Sequence, residues 1–449
     1  MAENFTKEIT EQEIESFRSE FRANAVAQAM MCAMRKTEIN DLLCTPVKMR
    51  NQVFQFSNEI KTMKATAQKS TGRCWLFAGM NVMREHLGKQ LDIAELELSQ
   101  SYMAFWDKFE RCNYFLEIII ETAHLPLDDR ALNYVLKDGG VPDGGQWDMI
   151  SGLIRKHGLV PKDIMPETAQ SSNTRNLNHI ISSYLRKNAL VLRDMVAEGR
   201  GMEEIRARKK EILSSCWSFL ASAYSEPPET FDFEYTDKNG AYHRVGNLTP
   251  ITFRNRYFGG FWDDFVSLIN APTPDKPFDR TYTVKYLGNI AEDPGVLYLN
   301  LTMEELKQAV VRQLQDGEIV WFGSDCGKYA SRDECFWNDE AFQTTLLTGL
   351  DGQMEKGDML QVCDGRMNHA MCITGVNIGD DGKPNRWKIE NSWGSEGLHD
   401  GYFVATDSWF DKYVFQAAVH KKYLGEKAAL LSMETIVLEP WDPMGSLAD

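Results

Sequence analysis

Apolar positions in the first half of the chain recur at the spacing of helices. In residues 8–40 the apolar side chains return every three to five positions, which marks one face of a helix. The run from Arg73 to about residue 87 has no breaker except Gly79, and its spacing predicts a buried helix. Residues 175–224 carry many charges of both signs and also predict helix. The first half is therefore expected to be mainly helical.

The pattern changes after about residue 228. Proline, glycine and asparagine interrupt short runs of Tyr, Thr and Phe as far as residue 300, which predicts loops and short strands. A helix is predicted at 303–315, and strands are predicted at 319–322, 371–376 and 386–390. The chain is therefore expected to be an α+β protein, with a helical first half, a strand-rich second half and an insertion between them.

Composition excludes several classes of protein. A hydrophobic content of 43% over 449 residues is too high for a disordered chain. The formal charge of −16 disfavours general binding to nucleic acid, because a polyanion repels phosphate. No stretch approaches about 18 uninterrupted apolar residues, so no membrane span and no membrane partner are expected. The first ten residues have neither the basic nor the apolar region of a secretory signal.

The nine cysteines show no CxxC pair and no regular spacing, which predicts reduced thiols in the cytoplasm. Cys363 and His369 have no further ligand candidate near them, so no metal site is expected. The basic run at 206–210 has three glutamates beside it and is interpreted as a solvated helix face. The glycine cluster at 139–145 lacks the Lys-Ser/Thr of a phosphate loop and is interpreted as a turn.

Cys74 lies where the predicted buried helix begins, within the segment Gln68-Lys69-Ser70-Thr71-Gly72-Arg73-Cys74-Trp75. The positive end of a helix dipole favours a thiolate, so a cysteine at this position can be strongly acidified. A single cysteine in an apolar helix is more often a packing residue, and that interpretation is kept for the other eight. Cys74 is a candidate nucleophile only if the chain also supplies a base and a residue that orients the base.

Two later segments supply these candidates. His369 stands in Met367-Asn368-His369-Ala370 at the start of a predicted strand, and Asn391 stands in Glu390-Asn391-Ser392-Trp393-Gly394. Taken alone, the histidine is ordinary and the second segment is compatible with a turn. Taken together, Cys, His and Asn follow one another in the chain order of the Cys-His-Asn form of the catalytic triad. The sequence therefore predicts thiolate chemistry.

These segments resemble papain-type cysteine peptidases. Further matching segments occur in the same order: Glu97-Leu98-Ser99-Gln100, Gly144-Gly145 and Asp400-Gly401-Tyr402-Phe403-Val404. The whole chain more narrowly resembles the aminopeptidase C and bleomycin hydrolase branch, through residues 139–147 and the tail at 439–448. The resemblance implies a cysteine aminopeptidase that acts on peptides with a free N-terminus, without metal or cofactor.

The resemblance also implies a role for each matching residue. Cys74 would be the nucleophile, His369 the general base and then acid, and Asn391 the residue that orients His369. Gln68 would donate its side-chain amide to the oxyanion beside the backbone N–H of Cys74. Two further roles concern binding and support: Trp393 would cover the His369–Asn391 hydrogen bond, and Gly144 and Gly145 would pair with an extended substrate.

The implied fold is papain-like, with a helical lobe, a strand-rich lobe, and helical and oligomerisation insertions. The expected divisions are an N-terminal helical extension (1–57), the lobe with Cys74 (58–170), the insertion (171–295), the lobe with His369 and Asn391 (296–430) and a C-terminal arm into the active-site cleft (431–449). The resemblance further implies a homohexameric ring.

The C-terminal tail is expected to decide whether the enzyme acts as an exopeptidase or as an endopeptidase. Pro440 and Pro443 interrupt any helical period, so an extended tail is predicted. The resemblance places it along the non-primed side of the cleft, where its terminal carboxylate would attract the substrate's ammonium. Asp449 extends this ending by one residue and a second carboxylate. Two alternatives stay open: an endopeptidase of the same fold if the arm is displaced, and a nucleic-acid-binding ring with incidental peptidase activity.

Overall fold

The computed structural model of the chain describes residues 8–45, 53–138 and 140–446. The chain divides into two compact units, one made of residues 1–54 and 338–355 and the other of residues 55–337 and 356–449. Within the described ranges, no helix has both the length and the apolar character needed to cross a bilayer.

The helices follow in chain order. They are α1 (Glu11–Ala23), α2 (Ala25–Ala33), α3 (Ile39–Leu43), α4 (Cys74–Leu91), α5 (Gln100–Glu121), α6 (Arg130–Asp138), α7 (Trp147–His157), α8 (Arg175–Ala197), α9 (Met202–Tyr224), α10 (Pro250–Tyr257), α11 (Met303–Gln315), α12 (Thr344–Thr348), α13 (Lys356–Gln361) and α14 (Asp407–Tyr413). Short 3₁₀ turns cover Phe261–Asp264, Asp339–Ala341, Leu398–Gly401, Lys421–Ser432 and Pro443–Gly445. The helices predicted at 73–87, 175–224 and 303–315 are confirmed as α4, as α8 with α9, and as α11.

The strands belong to the larger unit. They are β1 (Asn58–Glu59), β2 (Phe231–Thr236), β3 (Tyr242–Leu248), β4 (Phe265–Ile269), β5 (Arg280–Val284), β6 (Tyr298–Asn300), β7 (Val320–Ser324), β8 (Ala330–Ser331), β9 (Phe336–Trp337), β10 (His369–Ile378), β11 (Pro384–Glu390), β12 (Tyr402–Thr406), β13 (Val414–His420) and β14 (Ile436–Leu438). Strands β2 and β3 form a separate hairpin. The strands predicted at 319–322, 371–376 and 386–390 are confirmed as β7, β10 and β11.

One mixed sheet forms the centre of the larger unit. In the described part of the chain it has twelve strands in the order β14-β5-β6-β4-β13-β7-β10-β11-β12-β9-β8, with β1 on β10. Strands β4 and β5, which lie inside the predicted insertion, pair with this sheet. Strand β10 is buried along most of its length and pairs antiparallel with β7 and β11. The sheet therefore fixes where His369 and Asn391 enter the site.

Helix α4 packs against β10 and is buried over most of its length. On its other side α4 packs against α7, and Gly79 allows this close approach because a Cβ there would come within 2.4 Å of the Ile150 side chain. Asp92 ends the helix in the left-handed conformation, with its backbone N–H on the Gly88 carbonyl. Helix α4, which begins at Cys74, is therefore packed between α7 and the sheet.

Two predictions about local structure are wrong. The region predicted as loops and short strands contains helix α10, which the Thr249 capping box and Pro250 at its first position initiate. The tail is not extended throughout, because Asp442 accepts from the Met444 N–H and closes a 3₁₀ turn over Pro443–Gly445. In both segments proline starts a turn of helix rather than extending the chain.

Candidate active site

Cys74 is the first residue of α4 and is fully buried. The Trp75 indole N–H donates to the Asp143 carbonyl at 2.6 Å, and the Trp321 indole N–H donates to the Trp75 carbonyl at 3.1 Å. These bonds hold the helix start against the 140–146 loop and the sheet. The Ala370 N–H donates to the Cys74 Sγ at 3.4 Å, so the thiol lies within one residue of His369.

His369 and Asn391 come together because β10 and β11 are paired neighbours. His369 begins β10, and Asn391 directly follows the last residue of β11. The His369 Nε2 lies 2.9 Å from the Asn391 Oδ1. The Ser392 N–H donates to the same oxygen at 2.8 Å, which fixes that atom as the acceptor. Nε2 therefore carries the proton, and in the neutral ring Nδ1 is the basic nitrogen.

His369 is shielded from water, with 4% of its surface exposed. The Trp393 ring stacks on the imidazole with centroids 5.3 Å apart, and it also meets Phe403 edge to face. Burial lowers the pKa of His369, the bond to Asn391 opposes this shift, and the nearby Arg332 cation adds to it, so that the resulting pKa is about 4. An uncompensated imidazolium is therefore unfavourable here, and a thiolate partner would be needed to stabilise it.

Gln68 is held with its amide in a defined orientation. The Ser392 hydroxyl donates to the Gln68 Oε1 at 2.5 Å, and the Gln68 Nε2 donates to the Thr71 carbonyl at 2.5 Å. Backbone bonds from Gln68 N–H to the Ser392 carbonyl (2.8 Å) and from Gly394 N–H to the Thr66 carbonyl (2.9 Å) join the two segments. An amide nitrogen has two N–H groups, so the second one remains to serve an oxyanion.

The glycine pair at 144–145 has structural roles beside the predicted one. The Arg111 guanidinium donates to the Gly144 carbonyl at 2.5 Å. A Cβ on Gly145 would come within 2.5 Å of the Trp75 ring. The close contact with Trp75 therefore requires glycine at position 145, independently of any role of this glycine in binding a substrate.

Asp143 is a partly buried residue with several partners, which the sequence interpretation treated only as part of a turn. It accepts from the Gly72 N–H at 3.1 Å, from Asn178 at 2.7 Å and from Thr174, and it pairs with Lys108 at 2.6 Å. Burial raises its pKa, but the Lys108 cation and these hydrogen bonds outweigh that effect and hold the pKa below its usual range. Asp143 therefore ties the loop before Cys74 to α5 and α8.

A second buried pair joins the Cys74 helix to the Asn391 strand. The Arg84 Nη2 donates to the Glu390 Oε1 at 2.8 Å, and the Asn81 amide donates to the same oxygen at 3.0 Å. Burial raises the pKa of Glu390 to about 7, against the effect of Arg84. Glu390 directly precedes Asn391, so this contact fixes α4 relative to the end of β11.

The tail reaches the site at Ser446. Its hydroxyl donates to the Met367 carbonyl at 2.8 Å, and its own carbonyl accepts from the Gln146 amide at 2.8 Å. Lys276 pairs with Asp442 at 2.8 Å and anchors the preceding turn. A cavity of about 220 Å³, lined in part by Asn368 and by the basic side chains of Lys285 and Arg366, adjoins Ser446. Asp449 lies outside the described residues.

The structure brings the predicted site residues Gln68, Cys74, His369, Asn391 and Trp393 into one connected group. The sequence interpretation missed the supporting residues Ser392, Asp143, Arg84, Glu390 and Arg332. Ser392, Asp143 and Glu390 stand inside segments already singled out, so their position in those motifs was the available signal. Arg84 and Arg332 gave no such signal, because they lie outside those segments and their partners are distant in sequence.

Comparison with known proteins identifies the family of the chain. The model of the peptidase C1-like family matches residues 8–445. Aminopeptidase C from Lactobacillus delbrueckii subsp. lactis is 45% identical over 397 residues, which is 88% of each chain. Bleomycin hydrolase from Gallus gallus is 39% identical over 405 residues, 88% of this chain and 89% of that protein.

A solved structure is similar over the whole length. The crystal structure of PepW from Lactobacillus rhamnosis HN001 superposes with a TM-score of 0.96 at 41% identity, and the match covers 99% of this chain and 100% of that one. The predicted resemblance and the predicted papain-like α+β fold are thereby confirmed. The chain belongs to the peptidase C1-like family.

Proposed function

We propose that the protein is a cysteine aminopeptidase, which removes N-terminal residues from peptides through a thioester on Cys74. The thiolate, favoured at the N-terminus of α4, attacks the scissile carbonyl carbon. His369 Nδ1 holds the thiol proton and gives it to the leaving amine, which carries the new N-terminus of the shortened peptide. Water, deprotonated by the same nitrogen, then cleaves the thioester and releases the first residue as a free acid.

Gln68 and the Cys74 backbone N–H would stabilise the oxyanion of both tetrahedral intermediates. The N–H of the first residue of a helix lies at the positive end of the helix dipole, so the Cys74 N–H is proposed as the second donor. The Gln68 amide needs no reorientation during the reaction, because Ser392 and Thr71 already fix it. Preorganised donors of this kind are worth roughly 3–4 kcal/mol each in the transition state.

The position of Ser446 is the observation that carries the exopeptidase assignment. Ser446 is hydrogen-bonded to Met367, which precedes His369 by two residues in the sequence, and to Gln146, which directly follows the Gly144–Gly145 pair. These two bonds hold the tail between the segment that carries His369 and the glycine pair. A tail at this place occupies the space that the upstream residues of a long substrate need. Its terminal carboxylate would attract a free ammonium and leave an N-blocked peptide without a partner.

Truncation of the tail tests this assignment. The full-length enzyme should release the first residue from peptides with a free N-terminus and ignore their N-acetylated counterparts. Deleting 446–449 should lower this activity and create cleavage of N-acetylated or internal bonds, while deleting Asp449 alone should preserve or raise aminopeptidase activity. A truncated enzyme that still ignores N-acetylated peptides would contradict a gating role for the tail.

We further propose a homohexamer in the cytoplasm. Support for assembly comes from α1 and α2, which bury none of their side chains in the single chain and expose Phe17 (58%) and Phe21 (43%). Such apolar exposure is typical of interaction surfaces. Among the residues that the structure describes, no two cysteines form a disulfide, which suits a reducing compartment. Light scattering of the wild type and of the Phe17→Asp/Phe21→Asp variant would test assembly, since a hexamer should be seen only for the wild type.

Nucleic acid is not part of this proposal. The basic run on α9 is engaged within the protein, because Arg206 and Lys209 both pair with Glu117 and Arg208 pairs with Glu211 at 2.8 Å. Pairing with carboxylates leaves less positive charge to attract phosphate. Peptides with a free N-terminus are therefore the proposed substrates.

A further inference from the structure

Arg332 lies over the ring of Trp393, the tryptophan that stacks on His369. Its guanidinium carbon is 4.3 Å from the centre of the Trp393 ring, and the same ring stacks on His369. The side chain is exposed. Among the residues that the structure describes, no carboxylate forms an ion pair with Arg332; its nearest acidic neighbours in sequence are Asp333 and Glu334.

The backbone of Arg332 is fixed, although its side chain faces solvent. It follows β8 in the hairpin to β9, and its carbonyl accepts from the Cys335 N–H at 3.3 Å and from the Cys335 thiol at 3.4 Å. The same thiol also lies 3.1 Å from the Leu398 carbonyl. Strand β9 pairs with β12, so the hairpin is part of the central sheet. The sheet thus fixes the backbone from which the Arg332 side chain reaches Trp393.

The contacts along this wall of the cleft have a definite order. Ser446 of the tail bonds to Met367, which is two residues before His369. Trp393 covers the ring of His369, and Arg332 covers Trp393. The tail therefore contacts the segment just before His369, whereas Arg332 contacts the tryptophan that covers the His369 ring. If the tail limits the substrate at its N-terminus, the side of His369 that carries Trp393 and Arg332 is the one left for the departing peptide.

We infer that Arg332 binds the carboxylate of the departing peptide, either its C-terminal carboxylate in di- and tripeptides or an acidic side chain close behind the cleaved bond. This inference rests on the proposed aminopeptidase function. It makes Arg332 a residue that selects short, free-acid peptides over their amides.

Reach and charge both support this inference. Extended peptide advances about 3.4 Å per residue, so the carboxylate of the first or second residue after the cleaved bond comes into range of a group stacked on Trp393. A guanidinium pairs with a carboxylate through two parallel hydrogen bonds, which an amide cannot match. Because the site is open to solvent, the preference should be only about three- to tenfold and should weaken with salt.

A purely structural role for Arg332 makes a different prediction. If Arg332 only holds Trp393 over the imidazole, or acts only through its field on His369, its loss changes turnover of every substrate by the same factor. The ratio of kcat/KM between a free-acid peptide and its amide cancels such an effect. That ratio is therefore the decisive quantity.

The experiment compares leucyl-glycine and leucyl-glycyl-glycine with their C-terminal amides, and adds leucine p-nitroanilide, which has no carboxylate. In the wild type the acid should be preferred over the amide about three- to tenfold, mainly through KM, and less so when salt rises from about 0.02 M to about 0.5 M. Arg332→Gln should abolish the preference, Arg332→Lys should retain part of it, and Arg332→Glu should reverse it.

Arg256 offers a matched control, because it is also exposed and also lies over an aromatic ring, that of Tyr257. Arg256→Gln should leave the ratio unchanged. An acid-to-amide ratio that is equal in the wild type and in Arg332→Gln would overturn the inference, as would an equal loss on all substrates including the p-nitroanilide. Failure of the proposed function looks different, because the wild type would then release no leucine from any of these substrates.

Discussion

Arg84 donates to Glu390 across 2.8 Å, and this contact links the helix that begins at Cys74 to the residue that precedes Asn391. Both side chains are almost completely buried. The proposed nucleophile and the residue proposed to orient its base lie on different elements, so their separation depends on how these elements pack. The Arg84–Glu390 pair fixes that packing at one point.

Removing Arg84 should therefore weaken both the fold and the catalytic geometry. Arg84→Met leaves the Glu390 carboxylate buried without its cation, and we expect a loss of about 3 kcal/mol in the free energy of unfolding. The double variant Arg84→Met/Glu390→Gln should recover part of this loss. Urea unfolding measures the first effect, and a lowered kcat with nearly constant KM would indicate the second.

The exposed pair Arg200–Glu204 provides the control for this experiment. Arg200→Met should change neither the unfolding midpoint nor kcat. If Arg84→Met also leaves both unchanged, the buried pair does not position the site.

Gln68 should matter in the transition state more than in substrate binding. Gln68→Ala should lower kcat by about 10²-fold with a smaller effect on KM, because the oxyanion exists only during the reaction. Ser392→Ala should lower kcat by a smaller factor, about fivefold, since it removes only the hydroxyl that orients the Gln68 amide. Steady-state kinetics on a p-nitroanilide separate these effects, and equal losses in the two variants would contradict the assigned roles.

Asn391 should be less important than His369. Its Oδ1 fixes the orientation and tautomer of the imidazole, but the base itself remains in Asn391→Ala. We expect kcat/KM to fall less in this variant than in His369→Ala. Losses of the same size would mean that Asn391 does more than orient the ring.

The depressed pKa of His369 should appear in the pH dependence of stability when Cys74 is absent. In Cys74→Ala no thiolate can stabilise the imidazolium. The imidazole pKa is about 4 in the folded protein and near its ordinary value of 6.5 when unfolded. Between these values only the unfolded chain takes up the proton, so the free energy of unfolding should fall by up to about 3 kcal/mol as the pH is lowered. Urea unfolding of Cys74→Ala and of Cys74→Ala/His369→Gln gives the comparison, and equal pH dependence in both would contradict the shift.

The candidate site residues could be proposed from the sequence because each stands inside a local pattern. Cys74 begins a buried apolar helix, His369 begins a buried strand, and Asn391 follows another, so strand pairing alone brings the last two together. Arg84 and Glu390 are 306 residues apart and have no common pattern. Their pairing depends on how α4 crosses the sheet, which residue spacing does not encode.

The tail and helix α10 show a second reason for failure. Pro443 predicted extended chain at 443–445, yet Asp442 caps a 3₁₀ turn there, and Pro250 starts a helix after the Thr249 capping box. Proline fixes one dihedral angle that both extended chain and the first helical turn accept. The capping side chain just before the proline, Asp442 or Thr249, selects the helical turn over extended chain.

The identity of the nucleophile is the central claim, and alkylation by iodoacetamide near equal stoichiometry tests it most directly. Peptide mapping by mass spectrometry should find the label first on Cys74, and the labelled fraction should equal the fraction of aminopeptidase activity lost. Cys74→Ala should fold normally and release no N-terminal residue. Activity in Cys74→Ala, or full activity with Cys74 quantitatively labelled, would contradict the account.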